Sequence, residues 1–73
     1  MTYTVTAELV ANVLSVAVEV GSVVAPTDEV VLLDSMKMEI PVLAEVAGIV
    51  REVVVQPGDV VRDGDPLVII DRS

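Results

Sequence analysis

VVVQPGDVV (residues 53–61) and VAVEVGSVV (residues 16–24) are the two segments that decide the fold of this chain. They match when Gly21 is placed over Gly58, an offset of 37 positions. In each segment a glycine interrupts a run of valines. Valine favours extended strands, and glycine permits the positive φ of a tight turn. Each segment therefore predicts a strand, a turn and a short second strand.

The same offset aligns most of the chain, so the sequence is a two-fold repeat. Ala7-Glu8 falls on Ala44-Glu45, and the apolar residues 30–33 fall on the apolar residues 67–70. Each half predicts a strand, a longer strand, a turn, a very short strand and a final apolar strand. Because such a unit buries only one face, we expect the two halves to pack face to face.

The composition predicts an all-β fold. Hydrophobic residues make up 53% of the chain, yet it has no Phe, no Trp and one tyrosine, Tyr3, so valine, leucine and isoleucine must fill the core. Turn residues at 57–59 and 63–66 separate the apolar runs. We predict that residues 1–73 form a single all-β domain, a flattened antiparallel β-barrel or sandwich (a barrel-sandwich hybrid) of two pseudo-two-fold-related halves.

Missing residue types and the net charge exclude several functions. The chain has no cysteine and no histidine, which removes thiol nucleophiles, the commonest metal ligand and the commonest general base. We therefore predict no catalytic residue and no metal site. A formal charge of -8 disfavours nucleic acid and anionic membranes as partners. The N-terminal segment does not resemble a secretory signal and no apolar run reaches membrane-spanning length, so a cytoplasmic location is expected.

One segment, DSMKMEIP (residues 34–41), has no counterpart in the repeat and contains the only lysine, Lys37. A two-residue hairpin turn normally uses Asn-Gly, so this composition contradicts local preference, as residues kept for chemistry often do. The two-fold repeat predicts that this connection and the chain termini lie at opposite ends. On composition alone, a lone lysine between strands is a solvated surface charge, and methionines there are core filler or edge residues.

The motif Ser35-Met36-Lys37-Met38-Glu39 resembles the attachment motif of biotinyl domains, which is commonly Ala-Met-Lys-Met. The resemblance covers essentially the whole chain, including the glycines Gly21, Gly48 and Gly58 and the closing apolar strand. It is greatest to the short free-standing biotinylated proteins of the biotinyl/lipoyl attachment family. It implies a biotin carboxyl carrier domain in which biotin is joined to Lys37 through an amide bond.

The resemblance also implies partners. A biotin protein ligase would attach the cofactor, and the biotin arm would carry a carboxyl group between a biotin carboxylase and a carboxyltransferase, commonly one that acts on an acyl-CoA. The protein itself would be a non-catalytic carrier, monomeric in isolation. Ser35 is a poor candidate nucleophile because no histidine is present to activate it.

Two interpretations of Met36 and Met38 stay open. As cofactor-binding residues they would frame Lys37 with soft contacts for the ligase and for the biotin ring, and in an extended segment both would point opposite Lys37. As structural residues they would cap the open end of the barrel. Glu39 is either recognised by the ligase or is a solvated acid.

Three alternative functions share parts of this pattern. A lipoyl domain has the same fold and hairpin lysine but usually carries Asp where this chain has Met36. The similar barrel of membrane-fusion adaptors accompanies long helical hairpins, which this chain has no room to encode. A biotin reservoir, or a bystander substrate of the ligase, has the same sequence features as a carboxylase carrier.

Overall fold

Eight strands make up the secondary structure of residues 1–72, the part of the chain that the computed structural model describes. They are β1 (Thr2–Thr6), β2 (Ala11–Val16), β3 (Val23–Val24), β4 (Glu29–Ser35), β5 (Met38–Leu43), β6 (Gly48–Val53), β7 (Val60–Val61) and β8 (Pro66–Arg72). Within those residues no helix is long and apolar enough to cross a membrane. Each half contains four strands in the predicted order, and the all-β prediction is confirmed.

The strands form two four-stranded antiparallel sheets, ordered β1-β8-β6-β3 and β5-β4-β2-β7. The repeat offset places β1, β2, β3 and β4 on β5, β6, β7 and β8, and exchanging these partners converts one sheet order into the other. The predicted flattened antiparallel sandwich of two pseudo-two-fold-related halves is therefore confirmed.

Each sheet contains strands from both halves, because the halves exchange strands. The Val13 amide donates to the carbonyl of Asp59 over 2.8 Å. At the symmetry-related position, the Val50 amide donates to the carbonyl of Ser22, also over 2.8 Å. Each half therefore supplies carbonyl groups that accept hydrogen bonds from amides of the other half.

The core lies between the sheets and consists of aliphatic side chains. Most buried residues occur as symmetry-related pairs: Ala7 and Ala44, Val13 and Val50, Val24 and Val61, Val30 and Leu67, Val31 and Val68, and Leu33 and Ile70. Tyr3 is half-buried and packs against this cluster. The aliphatic core expected from the composition is thus the one that forms.

Gly48 begins β6 at a point where the backbones of β6 and β8 approach closely. A Cβ atom at Gly48 would overlap the carbonyl oxygen of Asp71 and lie 2.9 Å from both the Asp71 carbonyl carbon and Ile70 Cγ2. The symmetry-related residue is Ala11, which is buried. The φ of Gly48 is not positive, so the position requires the absence of a side chain and not the conformational freedom of glycine.

Two aspartates close symmetry-related loops in front of the last strand of each half. Asp28 Oδ2 accepts a hydrogen bond from the Ala25 amide over 2.8 Å. Asp65 Oδ2 accepts one from the Arg62 amide over 2.9 Å. In both loops the carboxylate hydrogen-bonds to the backbone of its own turn, which is why aspartate is favoured at such positions.

Replacing either Asp28 or Asp65 by alanine is expected to lower the free energy of unfolding by about 0.5–1.5 kcal/mol, because each change removes one such hydrogen bond. The two losses should be similar, since the bonds are symmetry-related. Urea denaturation measures both. Asp63→Ala is the matched control, because Asp63 is an exposed acid without such a bond in residues 1–72. A loss confined to one of the two loops would contradict their equivalence.

The chain termini and the β4–β5 connection occupy symmetry-related positions. Thr2 opposite Asp71 in the β1–β8 ladder corresponds to Glu39 opposite Asp34 in the β4–β5 ladder. Met1 and Arg72, the first and last described residues, are therefore the counterparts of Met38 and Ser35, in a molecule whose longest extent is 35 Å. β5 is an outer strand of its sheet and contains Pro41.

Candidate functional site

The connection between β4 and β5 is a two-residue hairpin turn formed by Met36 and Lys37. The last pair of the β4–β5 ladder is Ser35 opposite Met38. The φ angle is 51° at Met36 and 69° at Lys37, so both residues adopt left-handed backbone conformations. Two consecutive positive φ angles are typical of a type I′ turn, whose twist matches that of the paired strands.

This turn conformation is unfavourable for the residues that adopt it. A left-handed conformation costs a residue with a β-carbon about 1–2 kcal/mol, and asparagine and glycine tolerate it best. The neighbouring ladder holds the turn in place, because β4 and β5 pair without interruption from Val31 opposite Val42 to Ser35 opposite Met38. Backbone strain therefore coincides with the only lysine of the chain, as strain often does at functional sites.

The turn corrects two predictions about the methionines. Met36 and Met38 were expected to point opposite Lys37 in an extended segment, but Met36 and Lys37 form a turn, where strand alternation does not apply. Met36 is 92% exposed and Met38 is 63% exposed. The interpretation in which they cap the open end of the barrel is therefore wrong, since neither side chain is withdrawn from solvent. Both flank Lys37 at the surface.

Lys37 is exposed at the tip of the hairpin. Among residues 1–72, the single ion pair joins the N-terminal amine of Met1 to Asp71 over 3.8 Å, so no described carboxylate holds the lysine amine. Asp34 and Glu39 lie opposite each other one pair below Ser35 and Met38, which makes the base of the hairpin negative. The amine is thus open to a reactant that approaches from solvent.

Ser35 anchors the base of the hairpin to a distant segment of the chain. Its hydroxyl donates a hydrogen bond over 3.0 Å to the carbonyl of Val10, which immediately precedes β2. The sequence shows Ser35 only as a small residue in place of alanine. A bond between residues 25 positions apart leaves no signal in a local pattern, and sequence reasoning did not find it.

Comparison with known families shows to which family this β-sandwich belongs. The sequence model of the biotin/lipoyl family, described as "Biotin-requiring enzyme", matches residues 2–70. The chain belongs to this family. The predicted resemblance to the biotinyl/lipoyl attachment family is thereby confirmed, and it extends over residues 2–70.

Short biotinylated proteins of actinobacteria are among its relatives. "Biotinylated protein TB7.3" of Mycobacterium tuberculosis is 62% identical over 40 residues, and its homologue in Mycolicibacterium smegmatis is 60% identical over 40 residues. Each match covers 55% of this chain and 56% of the relative. The chain therefore spans about half the length of the curated relatives it matches.

Solved structures share the fold over nearly the whole chain. A segment of a single-chain, multi-domain long-chain acyl-CoA carboxylase is 33% identical with a TM-score of 0.91, covering 99% of this chain and 7% of that one. The Kluyveromyces lactis urea carboxylase is 27% identical with a TM-score of 0.91 and covers 97% and 6%. The lipoyl domain of the 2-oxoglutarate dehydrogenase complex from Azotobacter vinelandii covers 96% of both chains at 24% identity and a TM-score of 0.80, which shows the fold alone.

Met36→Asn is expected to raise the free energy of unfolding by about 0.5–1 kcal/mol, because asparagine adopts the left-handed conformation at lower cost than methionine. Urea denaturation is the measurement. Met38→Asn is the matched control: Met38 is also exposed, but it begins β5 and has no positive φ. Equal gains in both variants would show that the backbone conformation at Met36 is not the reason.

Proposed function

We propose that this biotin/lipoyl-family chain is a biotin carboxyl carrier domain and that Lys37 is the residue to which biotin is joined. The observation that carries the proposal is the position of the only lysine, exposed and without a described ion-pair partner, in the strained turn between two pseudo-symmetric halves. Family membership and the mycobacterial relatives named as biotinylated proteins support it.

The hairpin fits a covalently attached cofactor. Attachment needs one amine that can enter the active site of another enzyme, and the described part of the chain offers Lys37 without any local unfolding. The thioether side chains of Met36 and Met38 flank that amine in solvent, where their polarizable sulfur atoms can contact the ligase and the apolar part of biotin. The structure thus favours recognition over core packing as the role of the two methionines.

The attachment reaction is a simple acyl transfer to nitrogen. The neutral Lys37 Nζ attacks the carboxyl carbon of biotin, which biotin protein ligase supplies as an acyl adenylate. The amide C–N bond forms, the bond between the carboxyl carbon and the phosphate oxygen breaks, AMP leaves, and the amine nitrogen gives up its proton. Since the chain has no histidine, we expect the ligase to supply the base. The formal charge of the chain falls by one unit because the ammonium group is lost.

The fold presents the cofactor on a long arm. The lysine side chain and the biotin chain together extend on the order of 15 Å from a rigid hairpin. Biotin held by Lys37 would supply the chemistry of a carboxyl carrier, loaded at one active site and unloaded to an acceptor at another. The partners proposed for the domain are therefore a biotin carboxylase and a carboxyltransferase, with an acyl-CoA as the acceptor, and tethering keeps the arm concentrated near both.

A lipoyl carrier is the second candidate function. The likeness to a lipoyl domain supports the shared fold and no more. Met36 occupies the position before the lysine where lipoyl domains usually carry aspartate, which favours biotin. A biotin reservoir remains the third candidate, because it needs the same exposed lysine.

Intact mass spectrometry of the chain, produced with a biotin protein ligase, tests the proposal. We expect one biotinyl group per chain, which peptide mapping should assign to Lys37. The biotinylated protein should then accept labelled carboxyl from bicarbonate in the presence of ATP and a biotin carboxylase. A lipoyl adduct would favour the lipoyl carrier, biotinylation without carboxyl transfer would favour the reservoir, and an unmodified chain would overturn the proposal.

A further inference from the structure

The side-chain hydrogen bonds of residues 1–72 follow the two-fold symmetry with one exception. Two of the five join an amide to the side chain three residues later in the first half: Glu19 to Ser22 and Ala25 to Asp28. Their symmetry mates in the second half are Gln56 to Asp59 and Arg62 to Asp65. These four bonds stabilise the turns of the repeat. The fifth bond, from Ser35 to Val10, has no mate.

The unmatched bond lies beside the unmatched segment of the chain. The symmetry-related positions of Ser35 and Val10 are Arg72 and Ala47, and arginine has no hydroxyl to donate. The four symmetric bonds stabilise turns that both halves share. The fifth bond occurs only at the Lys37 end, so we expect it to serve a function of that end alone.

The bond also extends the attachment of the hairpin beyond its backbone ladder. The register of β4 with β2 ends at Asp34, opposite Asn12. Beyond that point the register partner of Ser35 is Met38 on β5, which is an outer strand. The Ser35 hydroxyl holds the hairpin to the rest of the sandwich one residue closer to the turn than the ladder does.

We propose that Ser35 is a positioning residue whose hydrogen bond to the Val10 carbonyl fixes the direction in which the turn presents Lys37 to the acylating ligase. This inference rests on the proposed function. If the hairpin is presented in the productive direction for only a fraction of the time, the apparent affinity of the ligase falls by that fraction. Loss of one such hydrogen bond changes the equilibrium constant between the productive and the other directions roughly fivefold.

Ser35→Ala removes the hydroxyl oxygen and nothing else. We expect the KM of a biotin protein ligase for the protein to rise by as much as about fivefold with kcat unchanged, and hydrogen exchange at the amides of residues 36–38 to become about fivefold faster. Ser35→Thr keeps the hydroxyl and should restore both values. Unchanged KM and unchanged exchange in Ser35→Ala would overturn the proposal.

Ser22→Ala is the matched control, because it removes a serine hydrogen bond of the same length, 3.0 Å, in the symmetric framework, where Ser22 Oγ accepts from the Glu19 amide. It should lower stability about as much as Ser35→Ala while leaving the KM and the exchange at residues 36–38 unchanged. An equal rise in KM for both variants would show that general stability and not positioning is responsible, which overturns the proposal. Failure of the wild-type chain to be biotinylated would overturn the proposed function, whereas hydrogen exchange in the unmodified protein still tests the hydrogen bond.

Discussion

Gly48→Ala is expected to remove most of the stability of the fold, about 3 kcal/mol or more. The added methyl group would overlap the carbonyl oxygen of Asp71 and crowd Ile70 Cγ2. Neither neighbour can move easily, because Asp71 belongs to the backbone of β8 and Ile70 is fully buried in the core. A domain of this size is stabilised by only about 5 kcal/mol in total, so the variant should unfold at much lower temperature and urea concentration.

Gly21→Ala is the control for this experiment. Gly21 has a φ of +95°, and a Cβ atom there meets nothing within 4 Å, so alanine introduces conformational strain without steric overlap. We expect a loss of about 1–2 kcal/mol. Thermal and urea denaturation followed by circular dichroism compare the two variants. A Gly48→Ala protein no less stable than Gly21→Ala would mean that β6 and β8 can separate and that the close approach is dispensable.

Lys37→Arg is expected to abolish biotinylation completely while the fold remains intact. Arginine keeps the positive charge and the length of the side chain, but its guanidinium group stays protonated and does not attack an acyl adenylate. Intact mass should show no biotinyl adduct, and the denaturation curve should stay within about 0.5 kcal/mol of the wild-type protein. A remaining adduct would mean that another amine is acylated and would contradict the assignment to Lys37.

A double variant tests whether the turn matters as well as the amine. Lys37→Arg combined with Arg62→Lys returns one lysine to the chain at another exposed turn position. We expect no biotinyl adduct in this protein, because the new amine lacks the hairpin and the flanking methionines. Biotinylation of the double variant would show that the ligase accepts any exposed amine of this chain.

The sequence predicts the strand order well because its determinants are local. A valine run broken by Gly21 or by Gly58 specifies a strand and a turn within a few residues, and the repeat extends the inference to both halves. The exposed position of Lys37 follows from the same repeat, because the segment that contains it lies outside the repeated units. The repeat together with the motif around that lysine is then enough to predict the family.

Long-range contacts account for what the sequence does not predict. Gly48 has to lack a side chain because the Asp71 carbonyl lies where a Cβ atom would be, and the Ser35 hydroxyl has a hydrogen-bond acceptor because the Val10 carbonyl lies beside it. The left-handed backbone of Met36 and Lys37 runs against local preference and is imposed by the ladder of β4 and β5. The first two features depend on residues far away in the sequence, and the third depends on the pairing of the two strands that flank the turn.

One pair of positions shows the limit of the repeat itself. Glu8 and Glu45 are equivalent in the repeat, yet only Glu45 has a positive φ, 66°, and its amide donates to the Pro26 carbonyl. At the symmetry-related loop, Gly64 has the positive φ, 91°, and its amide donates to the Ala7 carbonyl. In one pair of segments the loop residue Gly64 adopts the left-handed conformation, because glycine tolerates it. In the equivalent pair, where the loop at Pro26 has no glycine, Glu45 on the facing segment adopts it instead.

The proline in β5 has a consequence for how copies of the protein behave when crowded. An outer strand offers unpaired amides as a template on which a neighbouring chain can add its own strand, and such growth can continue into polymers. Pro41, opposite Leu32 in β5, has no amide hydrogen to offer. Pro41 therefore leaves a gap in the row of amide donors of β5, so this edge of the sheet is a poor seed for edge-to-edge aggregation and the amine at the hairpin tip stays accessible.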